Sequence, residues 1–132
     1  DVNGLKLVND AFGHNAGDEL LKLTSSILLN HKRTDDMVAR WGGDEFVLLL
    51  PNTTLDDAKQ ISREIMSSTN NVKFEYGEVS LAIGVATKEE LNQDMNKIFK
   101  LAEELMYQEK NNVESSVRSE TINTIINTLF EK

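Results

Sequence analysis

Three carboxylates offer the most direct chemistry in this sequence. Gly42-Gly43-Asp44-Glu45 sets two acids side by side between two apolar runs, and Asp1 stands at the start, in Asp1-Val2-Asn3-Gly4. Taken alone the tetrapeptide is a good turn, because glycine reaches positive φ at little cost and acids at a tip are well solvated. If the tip lies beside Asp1, the three acids form one cluster. Carboxylates that close repel unless a cation neutralises them, and hard oxygen ligands favour Mg2+ or Mn2+. A metal held by carboxylates beside lysines is the usual equipment for nucleotidyl transfer.

Other polar residues have plain structural readings when met singly. Arg33-Thr34-Asp35-Asp36 is an ion pair at a helix end, worth little if exposed. Asn9 suits a helix end and Asp18 an N-cap. His14, in a Gly-His turn, orients a loop, since a lone histidine has many structural uses. Trp41 flanks the hairpin and reads as packing.

The elements that must position these residues follow from periodicity. Leu5, Val8 and Phe12 fall at helical spacing, and Gly13-His14-Asn15-Ala16-Gly17 interrupts the pattern. A second helix is expected from about Asp18 to His31, with Leu20, Leu21, Leu23, Ile27 and Leu28 as its buried stripe. Residues 37–41 and 46–50 read as a β-hairpin around the Gly-Gly-Asp-Glu turn, ended by Pro51. A helix over about 54–68 turns Ala58, Ile61, Ile65 and Met66 inward. Residues 74–87 are strand-rich, and Val79, Leu81, Ile83 and Val85 alternate as in a half-buried strand. A last domain helix, about 93–111, uses Ile98, Leu101, Ala102, Leu105 and Met106.

This order predicts an α/β class, an α+β sandwich with helices against one sheet. The strand that would carry Asp1 lies before the first residue, so the chain reads as an N-terminally truncated fragment. Lost backbone pairing would then give weak activity, strand exchange or a distorted site. From Ser115 to Lys132 the residues Val117, Ile122, Ile125, Ile126, Leu129 and Phe130 repeat at helical spacing, a stripe that wants a partner surface.

Composition narrows the function. The 132 residues suit one domain with a modest core. With 22 acidic and 14 basic residues, the net charge of -8 disfavours non-specific binding to nucleic acid or anionic membrane. Without cysteine there is neither a disulfide frame nor a thiolate metal site, and a cytoplasmic location is compatible. No apolar run approaches the ~20 residues of a membrane span.

The segments DVNGLKLVNDAFGHNAGDELL and RWGGDEFVLLLP resemble, in order and separation, the two signature blocks of the GGDEF family of diguanylate cyclases. Leu81-Ala82-Ile83-Gly84-Val85-Ala86 and the run from Ala102 to Lys110 are similar to the family's closing strand and final helix. The resemblance covers residues 1–112. It implies a palm-like nucleotidyl-cyclase fold, with a central, mostly antiparallel sheet and flanking helices. The implied reaction joins two GTP into cyclic di-GMP with release of two pyrophosphates, by a Mg2+- or Mn2+-dependent homodimer.

Carried over by position, Asp1, Asp44 and the carbonyl of Val2 match the family's metal ligands. Glu45 matches the acid implicated in metal binding or in activating the 3'-hydroxyl. Asn9 and Asp18 match the guanine-reading pair, and a carboxylate suits the N1-H and amine of guanine but not the bare N1 of adenine. The glycines of the turn would let the backbone approach the nucleotide. Lys6 and Lys110 match the phosphate-contacting lysines. Where the family often has a basic residue four positions after the second lysine, this chain has Glu114. Asn3 and Gly4 also depart from the commoner residues. Arg33 and Asp36 match the product-inhibition motif, whose arginine can pair with guanine O6 and N7. Residues 113–132 are similar to the helical connector that leads into HD-GYP phosphodiesterase domains. Glu114 and such a neighbour point instead to a regulatory module that binds GTP or cyclic di-GMP without turnover.

Overall fold

The computed structural model describes residues 1–130, apart from the side chains of 114–125 and 128. Helices α1 (Leu5–Phe12) and α2 (His14–His31) come first, followed by the hairpin strands β1 (Met37–Arg40) and β2 (Phe46–Leu49). Helix α3 (Leu55–Ser68) runs into a short 3-10 turn, Thr69–Asn71, and α4 (Met95–Phe130) closes the order. The described sheet is two-stranded and antiparallel, in the register Met37↔Leu49, Val38↔Leu48, Ala39↔Val47 and Arg40↔Phe46. This mixed helix and strand architecture agrees with the expected class.

Each local element has a cause in the sequence. Thr54 caps α3 by accepting the backbone N-H of Asp57 at 3.2 Å, and Asp56 and Asp57 add negative charge at the positive end of the helix. The core joins Leu20, Leu21, Ile27 and Leu28 of α2 to Ile65 of α3, and to Val2, Phe74, Val79 and Leu81. Burial of each large side chain contributes about 1.5–3 kcal/mol. Leu5, Val8 and Leu23 pack against this cluster. Phe12 does not; it stays 54% exposed and stacks on Tyr76 with ring centroids 4.6 Å apart.

Two boundaries move. Helix α2 begins at His14, so Asp18 lies inside it and is no N-cap; Gly13, at φ 92°, makes the sharp entry instead. Gly17 lies inside the helix, and only glycine fits there because the Asn9 side-chain amide fills the space of a Cβ. Helix α4 runs through residue 112 without a break, so the helix expected over about 93–111 extends to Phe130. No glycine or proline follows Gly84 to interrupt it. The side chains of Glu114, Val117, Ile122 and Ile125 lie outside the described residues, as do Glu131 and Lys132; Ile126, Leu129 and Phe130 are exposed. No helix among the described residues is long and apolar enough to cross a membrane.

The stretch around Val79 to Val85 also departs from expectation. It forms no named strand; a single antiparallel bridge joins Leu81 to Val2. Its two faces are both covered, since Val79 and Leu81 enter the core while Ala82 is wholly buried. A Cβ on Gly84 would overlap the Ala102 carbonyl oxygen and the Met106 nitrogen of α4, so only glycine permits this approach.

The expected distortion at Asp1 does not occur. Asp1 N donates to the Ala82 carbonyl at 3.0 Å, Ala82 N returns the bond to Asp1 O at 3.0 Å, and Asn3 N donates to Ser80 O at 2.9 Å. On the other side Val2 N donates to Asp44 O at 2.8 Å. With Val2 only 1% exposed in the core, these bonds hold Asp1 beside the hairpin tip.

Candidate active site

The tip that carries Asp44 and Glu45 is a closed loop. Trp41 N and Gly42 N both donate to Glu45 O, at 2.8 and 3.3 Å. The Arg40 guanidinium donates to the carbonyls of Gly42 and Gly43, at 3.1 and 2.9 Å, and so cross-links the turn from its own strand. Neither of these glycines has positive φ, and a Cβ on Gly43 would meet nothing within 4 Å. The turn therefore does not need them for backbone conformation, contrary to the reading of an ordinary glycine turn. They leave the tip bare.

One carboxylate oxygen from each of Asp1, Asp44 and Glu45 lies within 4.8 Å of the others. From α4, Lys110 Nζ approaches Asp1 Oδ1 at 3.1 Å and Asp44 Oδ2 at 3.9 Å. One turn earlier on the same helix face, the Tyr107 hydroxyl donates to Glu45 Oε1 at 3.1 Å. That hydrogen bond and the adjacent negative charge hold the Tyr107 phenol above its ordinary pKa. Trp41 meets Phe99 of α4 at 5.2 Å between ring centroids, which docks the hairpin on the helix and fits its packing role.

Lys6 joins this centre from α1. Together with Val2, Leu5, Asp10, Asp44 and Lys110 it lines a cleft of about 370 Å³. Asn9 and Asp18 lie outside that lining; the Asn9 side chain packs on Gly17, the chain neighbour of the exposed Asp18. Arg33 and Asp36 form a separate unit. Arg33 Nε donates to Asp36 Oδ2 at 2.9 Å and Nη2 to Oδ1 at 3.0 Å, while Nη2 also reaches Thr53 and the Pro51 carbonyl. Asp36 is buried at 2% exposure, and the Arg33 guanidinium holds its carboxyl below the usual carboxylate range. This is a forked pair that ties the end of α2 to the loop after β2, not a loose surface contact. His14 begins α2 and is exposed.

Tyr107 and Asp10 were missed from the sequence. The signal for Tyr107 was its spacing from Lys110, which puts both on one helix face; Asp10 carried none beyond its charge.

Fold and site together define an α+β domain that gathers three carboxylates and two lysines at the tip of an antiparallel hairpin. Residues 1–116 match the family model described as diguanylate cyclase, GGDEF domain, and the chain belongs to that family. It is 38% identical over 112 residues to the diguanylate cyclase DgcM of Escherichia coli, covering 84% of this chain and 27% of the relative. It is 34% identical to the response regulator PleD of Caulobacter vibrioides, covering 83% of this chain and 26% of the relative. The chain thus spans about a quarter of the length of these curated relatives. Among solved structures, the active GGEEF domain of a diguanylate cyclase from Vibrio cholerae superposes with a TM-score of 0.78 at 27% identity, over 85% of this chain and 73% of that one. A microbial GGDEF domain described in its interaction with cyclic di-GMP matches with a TM-score of 0.70 at 28% identity, over 85% and 69% of the two chains.

Proposed function

We propose that this domain is a diguanylate cyclase that joins two GTP molecules into cyclic di-GMP and releases two pyrophosphates. The observation that carries the reading is the convergence of Asp1, Asp44 and Glu45 within 4.8 Å, flanked by Lys110, with Asp44 and Lys110 also lining the cleft that Lys6 lines. The chemistry of these donors fits a hard divalent cation. Asp1, Asp44 and the Val2 carbonyl would hold Mg2+ or Mn2+, with one Glu45 oxygen adding to the cation site, and the ion when bound supplies charge neutralisation at the reacting phosphate.

This chain's own residues do the rest. Lys6 and Lys110 bind the triphosphate, and Asn9 with Asp18 reads the guanine edge. Glu45 takes the proton of the attacking 3'-hydroxyl. The 3'-oxygen forms a bond to the α-phosphorus of the second GTP as the bond to the leaving pyrophosphate breaks, and a second, symmetric step closes the ring. Each domain presents one GTP to the other, so a homodimer is required at least transiently. Asp36, Thr53 and Pro51 occupy Nε and Nη2 of Arg33, and the half-exposed guanidinium keeps its Nη1 edge for a ligand, which supports product binding and feedback inhibition there.

Glu114 favours a second reading, a module that binds GTP or cyclic di-GMP and controls a neighbouring phosphodiesterase domain. Residues 113–132 would be the helical connector to an HD-GYP domain of the parent protein. Incubation of the purified parent protein with GTP and Mg2+, followed by mass detection of product, separates the two. Cyclic di-GMP formation that is lost in Asp44→Asn supports the cyclase. Tight GTP binding by a dimer without product overturns it in favour of the module.

A further inference from the structure

Glu45 is a flexible side chain at a bare loop tip, and a flexible acid makes a poor ligand or base unless something fixes its carboxylate. Its backbone carbonyl is occupied by Trp41 and Gly42, which fixes the main chain alone. The only side-chain hydrogen bond to the Glu45 carboxylate among the described residues comes from the Tyr107 hydroxyl, at 3.1 Å to Oε1. We infer that Tyr107 is a positioning residue that orients the Glu45 carboxylate toward Asp1 and Asp44 for cation binding.

The chemistry of the partner matters. A phenol donates one hydrogen bond and carries no charge, so it orients Glu45 without neutralising it, and the second oxygen remains free to accept. Lys110, one turn away on α4, cancels charge at Asp1 instead. Helix α4 therefore treats the acids differently, with an ammonium on Asp1 and a neutral donor on Glu45. The helix itself is held in place over the two turns that lead up to Tyr107. Phe99 meets Trp41 of the hairpin, and the backbone at Ala102 and Met106 lies against Gly84. A phenol is a protonated donor throughout the neutral range. Partners of this kind, which hold a metal-binding side chain in orientation, commonly govern metal affinity by about 10–100-fold.

The inference rests on the cluster being a cation site but does not require turnover. The test is a double-mutant cycle in Mn2+ affinity, read by electron paramagnetic resonance on the full-length protein without nucleotide. The four proteins are wild type, Tyr107→Phe, Glu45→Gln and the double variant. Tyr107→Phe keeps the aromatic ring, and thermal unfolding verifies that the fold is retained. The expected result is about tenfold weaker Mn2+ binding in Tyr107→Phe, with no further loss when the same change is made in Glu45→Gln. Equal affinity of wild type and Tyr107→Phe overturns the inference. So does the same loss in both backgrounds, which marks a merely structural effect, and so does failure of the wild type to bind Mn2+. A cycle with the expected coupling but no cyclic di-GMP from GTP overturns the cyclase reading and leaves the role of Tyr107 standing.

Discussion

Lys110 Nζ lies 3.1 Å from Asp1 Oδ1, although 109 positions separate the two residues. The Asp1 side chain is 2% exposed and that of Lys110 25%, so the pair is shielded from water and Lys110 acts as the resident counter-charge of the acidic cluster. A divalent cation and this ammonium compete for the same oxygens, and a lysine engaged with Asp1 is not engaged with a phosphate.

Lys110→Met removes the competitor and the phosphate contact together. The expected outcome is tighter Mn2+ binding in the absence of nucleotide and about tenfold weaker GTP binding, the loss of one charge-assisted hydrogen bond. Mn2+ titration by electron paramagnetic resonance and GTP titration by calorimetry measure the two effects, which run in opposite directions.

Gly84→Ala is expected to destabilise the domain by about 1–3 kcal/mol, because the new methyl meets backbone atoms of α4 and not the end of a flexible side chain. The change also pushes α4 away from the hairpin, so Tyr107 and Lys110 withdraw from Glu45 and Asp1. Chemical denaturation measures the first effect, and a shift in the emission maximum of Trp41 as its contact with Phe99 is lost reports the second.

Gly17→Ala probes the nucleobase contacts. The added Cβ would fall on the Asn9 side-chain amide, so Asn9 must swing out of its place on Gly17. The expected result is a folded protein whose preference for GTP over ATP falls by about tenfold or more, read as the ratio of the two binding constants. An unchanged ratio would remove Asn9 from the guanine site.

Asp36 predicts an acid-sensitive stability. Its carboxyl is held below the ordinary value by the Arg33 hydrogen bonds, so the folded state binds the proton less readily than the unfolded chain. The stabilisation is fully present above the unfolded carboxylate pKa and is lost as the pH falls through the lower, folded value. Asp36→Asn is therefore expected to lower Tm by about 5 °C at neutral pH, with the gap to wild type closing below about pH 4. Thermal melts across pH 2–7 test the sign as well as the size.

Much of this molecule was legible before its coordinates. The hairpin, α1, α3 and the core face of α2 followed from residue spacing, since a 3.6 or 2-residue period records which side of an element is buried. The spacing was misleading where a tertiary contact replaced the local rule. Gly17 reads as a break, yet it lies inside α2, and it is glycine there because Asn9 takes the room a side chain would need. Phe12 reads as core, yet it turns to Tyr76. The alternation from Val79 to Val85 reads as half-buried, yet Gly84 admits α4 against that segment.

The sequence by itself determined which acids and lysines exist, their place in the signature blocks and the family to which the chain belongs. Local patterning cannot report what lies opposite a side chain in space. Only the tertiary structure decided that Asp1 meets Asp44, because bonds to both Ala82 and the hairpin tip hold it there. It also decided that Lys110 sits on Asp1 and Tyr107 on Glu45, through the close backbone approach at Gly84 that brings α4 against the hairpin.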